Sequence, residues 1–275
     1  MIKDLLLIVD RETGDTAIVD AACRLARRHD AHLTIAIASP VPVPAYATMG
    51  YPPFILLDGY EDELVAKEKS VRARASSDEC STAVTVVLQP LHSLLDQAGA
   101  LTRYADMTVF GPRSTWGDGW LRRRIIESVL LGSGRPVLLL PDATIPSFAR
   151  TLIGWNDSAE ATRAVQAVLP SLDPGSDIVV GSVNPAPATE PAADDATPAT
   201  AIATHLVRHG FRVTRAGTTS GAGKEAEALM RLAADKHADL MVVGAFGRSR
   251  LREVILGGVT EEMIERASVP VLLMH

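Results

Sequence analysis

A chain of 275 residues, 47% hydrophobic and 22% charged, reads as globular and has material for one large α/β domain or two of ordinary size. Its net charge of −6 at pH 7 gives no electrostatic basis for binding nucleic acid or an anionic membrane, and no apolar run approaches the ~18 residues that span a bilayer. Cys23 and Cys80, with no metal-ligand or CxxC neighbour, read as two buried thiols in a reducing compartment.

Aromatic residues make up only 4% of the chain, so its cores must be built from Val, Leu, Ile and Ala, which suits parallel sheets covered by helices. Residues 5–10 form a short apolar run ending in an acid, the first predicted strand. A helix over 16–29 follows, with Ala17, Ala21, Ala22, Leu25 and Ala26 at helical spacing. The second strand is 33–38. The stretch 39–58, broken by Pro40, Pro42, Pro44, Pro52 and Pro53, reads as a long loop. A charged helix at 60–79, a strand at 84–88, a helix at 91–103 and a strand at 107–110 come next. A helix carrying Arg122, Arg123 and Arg124, read as a solvated face, leads to a fifth strand at 137–141.

The same order then begins again. Strands are predicted at 152–156, 177–183, 211–214 and 240–243, with a last one at 271–274, and helices at 159–169 and 225–237. A second Pro- and acid-rich loop covers 184–198. The segment 104–111 parallels 237–244 at an offset of 133, and 135–140 parallels 269–274 at 134, whereas Asp10 aligns with Asn156 at 146. The difference falls where the first copy has the longer loop. Two copies of one unit, 1–142 and 148–275, account for the chain. Alternating strands and helices imply two doubly wound domains, with ligands outside the strand carboxyl ends where strand order reverses.

One segment suits such a ligand. After the strand at 240–243 come Gly244 and Gly247, then Arg248 and Arg250, then Gly257 and Gly258 opening a helix through Val259 and Thr260. Glycine removes the Cβ that would block a close approach, and the first N–H groups of a helix favour an anion. Two ordinary turns would give the same residues. The matching stretch of the first copy keeps Gly111 but carries Ser114, Arg123 and Arg124 at the later glycine positions, and a folding requirement should have applied to both copies.

The second copy resembles the universal stress protein family along its length. The carriers are Trp155-Asn156-Asp157-Ser158 with Ala161 and Ala164, the run 238–244, the glycine segment, and Pro270-Val271-Leu272-Leu273. Nucleotide-binding members of that family have Gly, two residues, Gly, nine residues, Gly and then Ser or Thr; Gly244, Gly247 and Gly257 meet that spacing. The first copy looks like a degenerate version, making the whole similar to a tandem member. The resemblance implies two Rossmann-like domains of the adenine nucleotide alpha hydrolase-like type, each a five-stranded parallel sheet flanked by helices. It implies ATP or AMP; Glu253, Glu261 and Glu262 beside the segment would repel a phosphate unless Mg2+ intervened, which argues for a metal-bound nucleotide. Asn156 and Val183 would then lie on the adenine side, Gly244 by the ribose, and Gly247, Gly257 and Gly258 at the phosphates. Family members commonly pair through their last strands, which implies an internal pseudo-dimer and is compatible with a further homodimer.

Two positions depart from the family pattern. Asn156 stands where Asp is usual, though an amide can still bond an adenine edge. Gly258 replaces a Ser or Thr; one lost neutral hydrogen bond costs about 0.5–1.5 kcal/mol, weakening binding by up to ~10-fold. Other candidates read blandly. Gly223-Lys224 lacks the first glycine and the Ser/Thr of a P-loop and has no clear strand just before it. His205 and His209 read as a solvent-facing pair, and Ser158 as a helix N-cap. No catalytic residue and no metal site is assigned. The residues Met1-Ile2-Lys3-Asp4-Leu5 lack the form of a signal peptide, so a cytoplasmic location is expected. The resulting expectation is a stress-response protein that senses or regulates through nucleotide bound in the second copy, with no nucleotide in the first. A slow ATPase or phosphotransfer enzyme is one alternative. A nucleotide-free interaction or small-ligand-binding module is another.

Overall fold

A computed structural model of the chain describes residues 2–12, 14–41, 59–76, 80–185, 198–247 and 258–275. Most of the two predicted Pro-rich loops falls outside them, as do residues 248–257. The described residues divide into two compact units, Ile2–Ser133 and Gly134–His275.

In the first unit β1 (Asp4–Asp10), β2 (His32–Pro40), β3 (Thr82–Gln89) and β4 (Met107–Phe110) are all parallel, ordered β3-β2-β1-β4. Residues Leu5 to Asp10 of β1 are buried throughout, which is why the strand is a continuous apolar run rather than an alternating one. The helices α1 (Thr16–His29), α2 (Tyr60–Ser76), α3 (Leu91–Thr102) and α4 (Gly119–Ser133) associate as the pairs α1 with α2 and α3 with α4. Helix α1 ends at Asp30, whose left-handed φ of 50° stops the helix and whose N–H bonds the carbonyl of Arg27.

The second unit opens with β5 (Val137–Leu139) and continues β6 (Arg150–Gly154), α5 (Ala159–Val168), β7 (Asp177–Pro185), α6 (Pro198–Arg208), β8 (Arg212–Ser220), α7 (Glu225–Asp235), β9 (Leu240–Gly244), α8 (Gly258–Arg266) and β10 (Val271–Met274). Five strands run parallel in the order β10-β9-β6-β7-β8, and β5 joins the free side of β10 antiparallel, with Leu138 opposite Leu272. Strand order reverses at β6, between β7 and β9. The doubly wound α/β reading of the sequence holds.

Three local expectations are corrected. Strand β8 runs to Ser220, not to residue 214, so a strand does immediately precede Gly223-Lys224. Its second half, Ala216-Gly217-Thr218-Thr219, has no apolar run; it is held by backbone pairing to residues 181–184 of β7. Arg122 is not on a solvated face: it is 3% exposed, and its guanidinium donates to the Gly111 carbonyl at 3.0 Å. Of the two thiols only Cys23 is buried; Cys80 is partly exposed. His205 is likewise half-buried, its ring centroid 4.5 Å from that of His209.

Candidate functional site

At the reversal point the carboxyl ends of β6 and β9 lie side by side, Gly154 level with Val243. Beyond β6, Asn156 is exposed and its Oδ1 accepts the Ser158 N–H at 3.3 Å, a tight turn that places Asp157 at φ 56°. Ser158 caps α5: its Oγ accepts the Ala161 N–H at 3.1 Å. On the other side of β6, Gly154 is level with Gly181, so Val183, half-buried on β7 and paired with Thr218, extends past the end of β6.

The glycines beyond β9 prove to have different causes. A Cβ on Gly244 would lie 2.5 Å from the Ala161 nitrogen and 2.7 Å from the Glu160 carbonyl carbon, both backbone atoms of α5. Gly244 is therefore required by packing. Gly111, its counterpart, would meet Ile18 of α1 at 2.8 Å, which explains why this glycine is kept in both copies. Gly247 is half-buried, and among the described residues a Cβ there would meet only Glu160 Oε2, at 3.5 Å. Gly258, exposed at the first turn of α8, has nothing among the described residues within 4 Å of its Cβ position. Neither is among the described glycines with a positive φ. Among the described residues no contact and no dihedral explains glycine at these two positions.

Between Gly244 and Gly247 the chain is pinned. Phe246 is buried at φ 57°, a conformation that costs a non-glycine residue about 1–2 kcal/mol. Its N–H donates to Thr260 Oγ1 at 3.1 Å, and Ala245 donates its N–H to Met274 O at 2.7 Å. The His275 ring bonds the Ala245 carbonyl through Nδ1 at 3.0 Å and meets the Phe246 ring edge-on. Thr260 is thus buried and bonded to the loop, and Val259 is half-buried. Arg248, Arg250 and Gly257 lie outside the described residues.

Sequence reasoning missed Glu160. It sits in the first turn of α5, half-buried, directly over Gly244 and Gly247. Its own backbone N–H holds the carboxyl below the usual carboxylate range, helped by Ser158, Arg163 and His275 and opposed by partial burial. An acid in a helix's first turn is so common that the sequence offers no signal to single it out. Beside α8 a cavity of about 450 Å³ is lined by Gly223, Gly258, Glu261, Glu262, Glu265 and Arg266. Among the described residues no group of three or more His, Cys, Asp or Glu could hold a metal ion. No described helix is long and apolar enough to cross a membrane.

The first unit treats the equivalent place differently. Asp10, 5% exposed at the end of β1, accepts N–H groups from Glu12 at 3.0 Å and Gly117 at 2.7 Å. Burial pushes its carboxyl up from the ordinary Asp value, against those two bonds and the charge of Lys67. Lys67, 8% exposed, pairs with Asp15 at 2.8 Å and bonds the Glu12 carbonyl. With Arg122 on the Gly111 carbonyl, the polar groups at these strand ends are engaged by the unit's own residues.

Residues 147–275 match the sequence model of the universal stress protein family. The chain is 35% identical over 48 residues to universal stress protein MJ0577 of Methanocaldococcus jannaschii, covering 18% of this chain and 30% of that protein. It is 38% identical over 50 residues to universal stress protein Slr1230 of Synechocystis, covering 18% of this chain and 17% of that one. The matched stretches thus span less than a third of either relative. Across 98% of this chain and 97% of the other, the fold is that of a universal stress protein from Archaeoglobus fulgidus, with a TM-score of 0.68 at 15% identity. A functionally unknown protein of Pseudomonas aeruginosa PAO1, PA1789, is similar over 99% of this chain and 92% of its own, with a TM-score of 0.54 at 12% identity.

Proposed function

Residues 147–275 belong to the universal stress protein family, and on that premise we propose that the second copy binds an adenine nucleotide, ATP or AMP, at the carboxyl ends of β6 and β9. The role is one of sensing or partner regulation. The observation that carries this reading is the pair Gly247 and Gly258, glycines that neither backbone angle nor packing among the described residues requires. A ligand's close approach supplies the missing reason, and the first N–H groups of α8 favour its negative end. Asn156 and Val183 flank the reversal point on the β6 and β7 side, where an adenine ring would lie. In the first unit, Asp10 and Arg122 are already engaged internally, which supports placing the ligand in the second copy alone.

The test is titration calorimetry of the full chain with Gly247→Val and Gly258→Val. Among the described residues a Cβ at Gly258 meets nothing and one at Gly247 makes only an ordinary contact with Glu160 Oε2, so both variants should keep the wild-type melting temperature within about 2 °C while nucleotide affinity falls by at least about tenfold. Unchanged affinity in both removes the site assignment. A slow ATPase is the second reading; turnover by purified protein with Mg2+ decides it.

A further inference from the structure

We propose that His205 and His209, at the end of α6, form a binding site for a divalent ion of the zinc, copper and nickel class. The His209 N–H donates to the His205 carbonyl at 3.3 Å, which continues the helical turn through residue 209. That turn gives the i, i+4 spacing by which a helix presents two imidazoles on one face to a metal. Gly210, at φ 89°, donates its N–H to the Val207 carbonyl at 2.9 Å, and Phe211 donates to Leu206 at 3.3 Å. These are the paired bonds of a glycine helix stop, so both rings hang from one closed turn. The negative end of the α6 dipole favours a cation there.

The rings already stand near chelating distance. Two imidazoles bound to one ion at about 2.0–2.1 Å hold their centroids about 5 Å apart; here the centroids are 4.5 Å apart, with the planes tilted by 59°. His205 is half-buried, and its Nε2 is screened from solvent with no hydrogen-bond partner. A buried polar atom left so is unfavourable, and coordination supplies the partner. His209 is exposed, which leaves the pair open to an ion from solvent. The donor set selects the ion. Among the described residues no third His, Cys, Asp or Glu joins the two rings, and Arg208 adds positive charge on the same turn. Mg2+ and Ca2+, which take oxygen ligands and carboxylate charge, are disfavoured. Zn2+, Cu2+ and Ni2+ accept imidazole, and water completes their shells, so the bound ion is exchangeable. The pair lies where α6 leads into the amino end of β8, whereas the glycines beyond β9 lie at a strand's carboxyl end. The metal site therefore stands or falls independently of the nucleotide reading.

The test is Zn2+ titration calorimetry of the full chain, first stripped with EDTA and desalted, as wild type, His205→Ala, His209→Ala and His209→Phe. Each substitution should weaken Zn2+ binding at least about tenfold, since even changes outside a metal's ligand shell cost about 10–100-fold. His209→Phe keeps an aromatic ring beside His205 and should lose the metal all the same. Adding Val207→His to His209→Ala restores the number of histidines at an exposed position, but at i+2 and off the shared face, so binding should not return. Cu2+ on the wild type should show electron paramagnetic coupling to two imidazole nitrogens, and to one in either alanine variant. Zn2+ affinity unchanged in both alanine variants, or recovered by Val207→His, overturns the site. So does a pair of rings that merely packs: both variants would then melt lower without metal, and Zn2+ would not raise the wild-type melting temperature.

Discussion

Glycines of identical appearance in the sequence do separable things, and single substitutions tell them apart. Gly244→Ala forces a methyl into backbone atoms of α5 that cannot move independently, so destabilisation of about 1–3 kcal/mol is expected in chemical denaturation, with Gly111→Ala similar through the β-branched Ile18. Gly258→Ala meets nothing among the described residues and sits in a helix, where Ala is favoured by up to ~1 kcal/mol; its stability should be unchanged or raised. A loss at Gly258 matching that at Gly244 would mean the open face is filled. Asp10 gives a pH-dependent counterpart. Its folded pKa is raised, chiefly by burial, so its contribution to stability is full below the unfolded value of about 3.9 and is lost as pH rises through the folded one. Asp10→Asn carries a fixed penalty of about 1–3 kcal/mol, because an amide cannot accept from both Glu12 and Gly117 N–H groups. It removes the titration, however. The stability of the variant relative to wild type should therefore climb between pH 3 and neutrality, about one pH unit at a time in thermal melts. A decline over that range would show that the two N–H bonds and Lys67, not burial, dominate.

Secondary-structure elements inherit these local decisions through their ends. Helix α8 is tied to the segment after β9 by the bond from Phe246 N–H to Thr260 Oγ1, which holds Phe246 at its left-handed φ. Thr260→Val keeps the shape and deletes the acceptor, leaving a buried N–H unpaired at about 1–3 kcal/mol. Urea titration should register that loss, and an unchanged midpoint would show that another acceptor takes the Phe246 N–H. The sequence made the strands legible because buried parallel strands are continuous apolar runs, as in β1, β9 and β10. It hid the second half of β8, whose Thr- and Gly-rich residues join the sheet by backbone pairing alone. The spacing of Gly244, Gly247 and Gly257 was readable, and so was the cap at Ser158. What could not be read was that Gly244 answers to α5, that Glu160 of the same helix overhangs Gly247, or that Arg122 turns inward to a carbonyl. Each depends on a contact between elements distant in the chain, and nothing in local spacing encodes it.

For the whole molecule, the strand that ends the first copy is the informative one. By sequence repeat, residues 137–139 complete the copy that spans 1–142; by packing, they belong to Gly134–His275, where β5 covers the outer side of β10. All four residues of β10 are buried, so without β5 a short, wholly apolar strand would present unpaired N–H and C=O groups at a sheet edge. A piece of chain cut at the family boundary, 147–275, should therefore self-associate through the edge of β10, whereas in 134–275 β5 covers that edge and association through β10 should be lost at the same concentration. Light scattering after size exclusion distinguishes the two. Leu272→Lys placed in the 147–275 piece should restore the monomer if it still folds, because a charge on an edge strand opposes pairing. In 134–275 the same substitution should instead be destabilising, since Leu272 there is buried opposite Leu138. A monomeric 147–275 with native-like stability would show that β10 does not need a partner, and that the β5 ladder is a consequence of chain connection rather than a condition for the fold of the second copy.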